Sequence, residues 1–377
     1  MPKPLKIISA NDTFGALVAF GEMLAGKQAI FVNPIERTGA SELSSKLPEA
    51  YGLPNEVDDA LALIVETSGS TGAPKRIELS LAAVMASAKA SQDRLGGPGQ
   101  WLLTLPINYI AGANVLIRSL YAETQPVLMN TAMPFTVDAF SRAASLMTGE
   151  RRYTSLVPTQ LVRLIDAAKM GDDYTLGLLR RFDAILVGGQ ALLPEVSASA
   201  EALGIRVIQT YGMTETCGGC VYDGVPLDDV EVEIYRGLLR ISGATLASNI
   251  ETDEGWFSTN DIGDLTDDDR WIVVGRADRV IKSGGIKISL DRVEQLASTV
   301  PGVIELVAAP IVDREWGQRV GIVYVGSPEV ADDIARALAN DLGPAGKPIR
   351  VLRTDKIAKL PNGKVDFQTT ARLFENG

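Results

Sequence analysis

The sequence predicts an α/β protein. It has a large N-terminal domain of parallel α/β sheets ending in a small antiparallel β unit, then a smaller, mobile α+β C-terminal domain. Three observations carry this reading. Over the first two-thirds, short apolar runs alternate with amphipathic stretches, the rhythm of strands joined by crossover helices. From Val230 the pattern changes to short strands separated by turns, as in an antiparallel unit. The length of 377 residues also exceeds what one hydrophobic core serves well, so two or three domains are expected.

The compact apolar runs place strands at Ala29–Val32, Leu61–Val65, Trp101–Leu105, Pro126–Leu128, Ala184–Val187 and Arg206–Gln209. Between them, Leu79–Leu95, Val115–Ala122, Val137–Met147, Thr159–Lys169 and Glu195–Leu203 have the periodicity of helices crossing between parallel strands. The antiparallel unit takes Glu231–Tyr235, Leu238–Ser242, Trp256–Thr259 and Trp271–Val274. Beyond Gly275-Arg276-Ala277-Asp278 come a glycine turn at Ser283–Gly285, a helix near Asp291–Thr299, strands near Leu306–Pro310 and Val320–Val325, and a helix near Glu329–Asn340. The expected domains are therefore 1–276 and 277–377.

Composition removes several function classes. At 46% hydrophobic and 22% charged residues the chain is ordinary globular protein, and its net charge of −11 argues against a nucleic-acid surface. No run approaches the roughly 18 apolar residues of a membrane span, and no secretory leader is evident, so a cytoplasmic location is expected. Histidine is absent, which excludes Ser-His-Asp and Cys-His nucleophiles and histidine metal sites. The only cysteines form Cys217-Gly218-Gly219-Cys220. A zinc site lacks a second pair of ligands, and two reduced thiols beside a glycine turn are the simpler expectation.

Five motifs bear on chemistry. Thr67, Ser68, Gly69, Ser70, Thr71, Gly72, Ala73, Pro74 and Lys75 follow the run Leu61–Val65. They offer hydroxyls, backbone N–H groups and one cation to a polyanion, though the spacing is not that of a Walker A loop and a polar surface turn has the same composition. Tyr211-Gly212-Met213-Thr214-Glu215 follows Arg206–Gln209, at a strand end where ligands of open α/β sheets collect. There a tyrosine can stack on a purine and a glutamate can hold Mg²⁺, while packing and capping are the plainer roles. Asp261 ends another strand and suits vicinal hydroxyls, or simply a turn. Arg276 with Asp278 sits at the expected domain joint, and Lys364 follows a Pro-Asn-Gly turn; each alone could be a solvated surface charge.

In this order the five motifs resemble the adenylate-forming superfamily of acyl- and aryl-CoA synthetases, luciferases and adenylation domains. A finer resemblance, to the o-succinylbenzoate–CoA ligases of menaquinone biosynthesis in their short actinobacterial form, rests on Leu105–Gly112, Ser155–Leu161, Val187–Gln190 and Cys217–Gly224. The resemblance implies an ATP-dependent, AMP-forming ligase that uses Mg²⁺ and CoA. The loop from Thr67 to Lys75 would hold the β- and γ-phosphates, Tyr211 the adenine, Thr214 the α-phosphate, Glu215 the Mg²⁺, and Asp261 with Arg276 the ribose. Lys364 would bridge the attacking carboxylate and the α-phosphate. Asp278 would be the hinge about which the C-terminal domain turns, bringing Gly284 and Gly285 to the CoA tunnel. The acid would lie near Tyr109, Asn114, Arg118, Thr159, Gly188 and Gly189, with Arg118 favoured for its spectator carboxylate and Arg163 a weaker candidate. For Arg118, a plain surface position on the helix is an equal alternative.

The chain also departs from the family. Tyr109 stands where many relatives carry histidine, and Arg292 replaces the first glutamate after the glycine turn, although Glu294 remains. The phosphate loop begins at residue 67, so much of the usual N-terminal subdomain is missing and its outer sheet and dimer contact are in question. The expected partners are the carboxylic acid, ATP and CoA, with a homodimer compatible with the family. Another aryl or acyl acid, a carrier-protein acceptor, or a binding protein that lost turnover are the competing readings.

Overall fold

The computed structural model describes residues 1–33, 47–68, 74–359 and 365–374. They group into two compact units, Met1–Val232 with Ile241–Phe257, and Glu233–Arg240 with Ser258–Gly377. This grouping is one of packing and differs from the expected 1–276/277–377 division.

Among the described residues, the first unit holds two sheets. A five-stranded sheet has the order Glu56–Val57, Lys3–Ser9, Ala29–Asn33, Leu61–Ser68, Pro74–Ser80. Its three central strands are parallel and its two outer pairings antiparallel. No strand is expected before Ala29 from the sequence, yet Lys3–Ser9 pairs with Ala29–Asn33, joined by helix Thr13–Leu24. Asp12 caps that helix by accepting from the Gly15 amide at 2.9 Å. The N-terminal stretch therefore folds into sheet.

The second sheet runs Val225–Pro226, Gly218–Tyr222, Val207–Met213, Ala184–Val187, Arg152–Leu156, Gln100–Leu103, Val127–Leu128. From Val207–Met213 to the far edge all pairings are parallel, as expected for crossover connections. Helix Leu81–Arg94 differs from expectation: it joins one sheet to the other rather than crossing within a sheet. It also starts later than the expected Leu79, because Pro74–Ser80 is a strand and Ser80 caps the helix through the Ala83 amide. Helix Ile110–Tyr121 starts five residues before the expected Val115, with Tyr109 at its N-cap. A buried cluster including Phe140, Leu161, Leu164, Phe182, Ile185 and Val187 fills one face of this sheet. No described helix is long and apolar enough to cross a membrane.

The antiparallel strands Val230–Tyr235, Leu238–Gly243, Phe257–Leu265 and Trp271–Arg276 form the expected four-stranded sheet, most of which belongs to the second unit. That unit also holds the sheet Ile286–Ser289, Val280–Ser283, Gly317–Gly326, Val303–Asp313, with Arg350–Arg353 added beside Gly317–Gly326. Helices Leu290–Ser298 and Ala331–Gly346 cover it over a core of Val293, Ala297, Val320, Ile322, Ile334 and Leu338.

Candidate active site

The glycine-rich loop turns out to connect two antiparallel strands. Leu61–Ser68 and Pro74–Ser80 pair in the register Thr67↔Lys75 and Ser68↔Pro74, and the Thr67 hydroxyl donates to the Lys75 carbonyl at 3.2 Å. Gly69, Ser70, Thr71, Gly72 and Ala73 lie outside the described residues, as does the side chain of Ser68. At the base of the loop the Lys75 ammonium stands 3.7 Å from the Glu215 carboxylate. The two residues are 140 positions apart in sequence, and they are the ones the family resemblance assigns to polyphosphate and metal contacts.

Glu215 is set by a tight turn at a strand end. Val207–Met213 passes into the 3-10 turn Thr214–Thr216, and Cys217 closes it in the left-handed region at φ 56°. The Thr216 hydroxyl accepts from the Met213 amide (2.9 Å) and donates to the Gly218 carbonyl (2.7 Å). The Glu215 carbonyl accepts from Ala247 N–H at 2.9 Å, so its backbone is fixed on both sides. Gly212 is obligatory here, because a Cβ would strike the Gly218 carbonyl oxygen. Tyr211, at the ladder irregularity before Gly212, is half-buried, and Thr214 is buried.

Gly188 and Gly189 follow the strand Ala184–Val187. A side chain at Gly188 would meet Thr210, and Gly189 sits at φ 83°, so the backbone here stays bare and close to the neighbouring strand. Tyr109 and Thr159 both sit at helix starts, the first as the N-cap of Ile110–Tyr121 and the second in the first turn of Pro158–Lys169. Arg163 is exposed and donates to the Phe135 carbonyl at 3.1 Å.

Asn114 and Arg118 share one face of helix Ile110–Tyr121, as expected, but their partners differ. Asn114 gives its amide N–H to the Cys217 carbonyl at 2.9 Å instead of standing free for an acid. Arg118 is only 5% exposed, which removes the surface-helix alternative. It donates to the Tyr222 hydroxyl at 3.1 Å and lies over the Trp101 ring, 5.1 Å from its centroid. Among the described residues it has no ion pair, and its Nε has no hydrogen-bond partner. A guanidinium cannot discharge by losing its proton, so this is a buried cation lacking a counter-anion. A cavity of about 10 Å³ bordered by Gln92, Gly97, Gly99, Trp101 and Tyr153 lies against it.

In the second unit Asp261 and Arg276 face each other across the ladder. Arg276 donates through Nη1 to Asp261 (3.1 Å) and through Nε and Nη2 to both oxygens of Asp278 (2.9 and 2.8 Å). This fork holds the Asp278 carboxyl below its ordinary pKa, the hydrogen bond from Arg276 being the main cause, and raises that of Arg276. The Asp261 amide donates to the Thr259 hydroxyl at 3.0 Å, which in turn donates to the Leu239 carbonyl. Gly284 and Gly285 form the tip between Val280–Ser283 and Ile286–Ser289, at φ 58° and 86°. A Cβ at Gly284 would press on the Trp316 ring at 2.7 Å. Lys364 lies outside the described residues.

Two further groups bear on chemistry. Burial pushes the thiols of Cys217 and Cys220 up to about 12, so neither offers a thiolate for redox or metal work. Among the described residues no cluster of three or more Asp, Glu or Cys could hold a metal. Mg²⁺ is ordinarily held by one or two carboxylates together with substrate phosphates and water, a role for which the single carboxylate of Glu215 is suited.

Glu294, the acid retained beyond the glycine turn, accepts from the Ala308 amide (2.8 Å) and pairs with Arg279, which also pairs with Asp291. Desolvation, with Asp291 adding to it, raises its carboxyl from 4.5 to about 7 against the pull of Arg279. Between those values the folded state keeps a proton that the unfolded chain has lost. The contribution to stability is thus full below 4.5 and is lost as pH rises through about 7. Urea denaturation should show Glu294→Gln, neutral throughout, with a flatter decline than the parent over that window. An identical pH profile for the two proteins would contradict this.

Residues 20–239 match the AMP-binding enzyme family. A Mycobacterium tuberculosis protein named "Probable 2-succinylbenzoate--CoA ligase" is 38% identical over 334 residues, covering 85% of this chain and 86% of that protein. The Escherichia coli protein named 2-succinylbenzoate--CoA ligase is 29% identical, over 81% of this chain and 67% of its own length. Among solved structures, o-succinylbenzoate CoA synthetase (MenE) from Bacillus subtilis in complex with OSB-AMP superposes with a TM-score of 0.73 at 22% identity, over 94% of this chain and 80% of that one. ATP-bound MatB from Rhodopseudomonas palustris gives 0.81 at 18% identity, over 100% and 90%. These likenesses establish the two-part adenylate-forming fold. With a family match over more than half its length and a relative of this similarity, the chain belongs to the AMP-binding enzyme family.

Proposed function

We propose that the protein joins 2-succinylbenzoate to CoA in two steps, first forming the acyl-adenylate and pyrophosphate from ATP, then the thioester and AMP. One observation carries the choice of acid: the 38% identical relative bearing that activity in its name, aligned over 85% of this chain. Arg118 is the residue proposed for the second carboxylate of the acid. One carboxylate reacts, and the second would supply the anion that buried Arg118 lacks. The cavity now beside Arg118 is smaller than a carboxylate, so binding must displace the side chains that line it.

In the first step a carboxylate, already ionised at neutral pH, attacks the α-phosphorus of ATP. No base is needed, which fits a chain without histidine. The obstacle is repulsion between two anions. Lys364 and Thr214 would meet the charge developing on the α-phosphate, and Thr67, Ser68 and Lys75, with Gly69 through Gly72, would grip the departing pyrophosphate. Glu215 would hold Mg²⁺, which supplies neutralisation of the phosphate oxygens. Tyr211 would lie on adenine, and Asp261 with Arg276 on the ribose. Tyr109, Thr159, Gly188 and Gly189 remain the proposed lining of the acid pocket, from which Asn114 is withdrawn. In the second step the C-terminal part, 277–377, would turn at Asp278 and offer Gly284 and Gly285 to the pantetheine arm, where a side chain would obstruct it. The reading includes a cytoplasmic location, where ATP and CoA are both at hand as co-substrates.

ATP–pyrophosphate exchange tests the reading. Exchange should require 2-succinylbenzoate over other aryl and fatty acids, and CoA should discharge the adenylate where a phosphopantetheinyl carrier protein does not. Absence of acid-dependent exchange across the whole panel would leave a nucleotide-binding protein without turnover and overturn the reading.

A further inference from the structure

The turn that carries Glu215 is held from behind by two helices, through pairs of side chains spaced one helical turn apart. On helix Leu81–Arg94, Ser87 and Ser91 face the strand Gly218–Tyr222; on helix Ile110–Tyr121, Asn114 and Arg118 do. At the near rung the Cys217 carbonyl accepts from both Ser87 Oγ (3.2 Å) and Asn114 Nδ2 (2.9 Å). At the far rung the Tyr222 hydroxyl accepts from Arg118 (3.1 Å) and bonds Ser91 Oγ at 2.7 Å. All four side chains are buried, so each bond lies where water cannot replace it.

The near rung acts directly on the turn. Cys217 is a non-glycine residue at φ 56°, a conformation that persists only where its surroundings enforce it. Its N–H closes the turn on the Thr214 carbonyl at 3.0 Å, and its carbonyl is the doubly bonded acceptor. The Asn114 amide also occupies the space that a Cβ on Gly218 would need. A carbonyl acceptor fixes which end of the Asn114 amide faces it, so the donor role is set by chemistry.

We infer that Ser87 and Asn114 are positioning residues: acting through the Cys217 carbonyl, they fix the Thr214–Cys217 turn and thereby the direction of the Glu215 carboxylate toward a Mg²⁺–nucleotide. The inference rests on the proposed role of Glu215. Partners bonded directly to a metal ligand typically change metal affinity or activity by about 10- to 100-fold when removed, and support one step removed, through the Cys217 carbonyl, should act at the low end of that range.

The test is acid-dependent ATP–pyrophosphate exchange as Mg²⁺ is varied, on Ser87→Ala, Ser87→Thr, Asn114→Ala, Asn114→Asp and Glu215→Gln. Asn114→Ala and Ser87→Ala should raise half-saturating Mg²⁺ by roughly tenfold at the near end of that range, with the KM for the acid little changed. Asn114→Asp keeps the shape but turns an acceptor toward an acceptor, and should be at least as impaired as Asn114→Ala. Ser87→Thr retains the hydroxyl and should restore the parent Mg²⁺ dependence. If the alanine variants lose only melting temperature and active fraction, with Mg²⁺ dependence intact while Glu215→Gln alters it, the positioning role is overturned. If Glu215→Gln also leaves Mg²⁺ dependence unchanged, the assignment of Glu215 fails, and the inference fails with it.

Discussion

Lys364→Ala is expected to slow acyl-adenylate formation by about 100- to 1,000-fold, the usual loss when one preorganised charge partner of a transition state is removed. The transfer of the acyl group from supplied acyl-adenylate to CoA should stay within a few-fold of the parent, because the cation is needed only while carboxylate and α-phosphate approach each other. Lys359, five residues earlier, makes the informative control. It forms an isolated bridge with Val365, and its ammonium is committed to Glu305 at 2.8 Å. Lys359→Ala therefore removes a nearby lysine without touching the proposed chemistry. Single-turnover measurement of the two half-reactions separates the cases. Unchanged adenylation in Lys364→Ala would show that the charge of the attacking pair is met elsewhere.

How much of this was open to reading from the chain depends on where each signal lies. The motif residues were legible because backbone chemistry requires them locally. Gly212 must lack a Cβ to pass the Gly218 carbonyl, and Gly284 must lack one beside Trp316. Glu215 stands at a strand end where the sheet leaves room for a ligand. The bracing of that glutamate was hidden, because Ser87 and Asn114 meet Cys217 across 130 and 103 residues. A serine and an asparagine on amphipathic helices carry no local mark of that contact. Asn114 was accordingly read as a contact to the acid, since helical spacing reports a shared face and not what that face meets.

The fold shows the same division. Strands buried on both faces, such as Ala184–Val187, announce themselves as continuous apolar runs. Lys3–Ser9 and Pro74–Ser80 do not, because lysine, arginine and proline interrupt their apolar pattern: the buried positions of the first include Lys3 beside Leu5, Ile7 and Ile8, and those of the second are Ile77 and Leu79 among the described side chains. Their identity as strands comes from the neighbours they pair with. Gly218–Tyr222 was concealed by its own glycines, which suggest a turn, while its residues pair with Val207–Met213. Composition fixes a strand poorly where pairing is what holds it.

Arg118→Gln should raise the KM for 2-succinylbenzoate by at least about 30-fold, the low end of the roughly 2–5 kcal/mol cost of removing one partner of a buried charge pair. The KM for ATP should not follow it. The residue also braces structure, through the Tyr222 hydroxyl and the Trp101 ring, so a loss of stability is expected and cannot by itself identify the role. A pair of acids can. A benzoate lacking the second carboxylate has no anion to offer Arg118, so parent and Arg118→Gln should use it equally poorly, and the parent's preference for the dicarboxylate should collapse in the variant. Arg118→Lys keeps the charge but loses the planar fork, and should fall between the two. An equal loss for both acids would mean that the guanidinium serves only the packing of helix Ile110–Tyr121 against its neighbours, and that another group receives the spectator carboxylate.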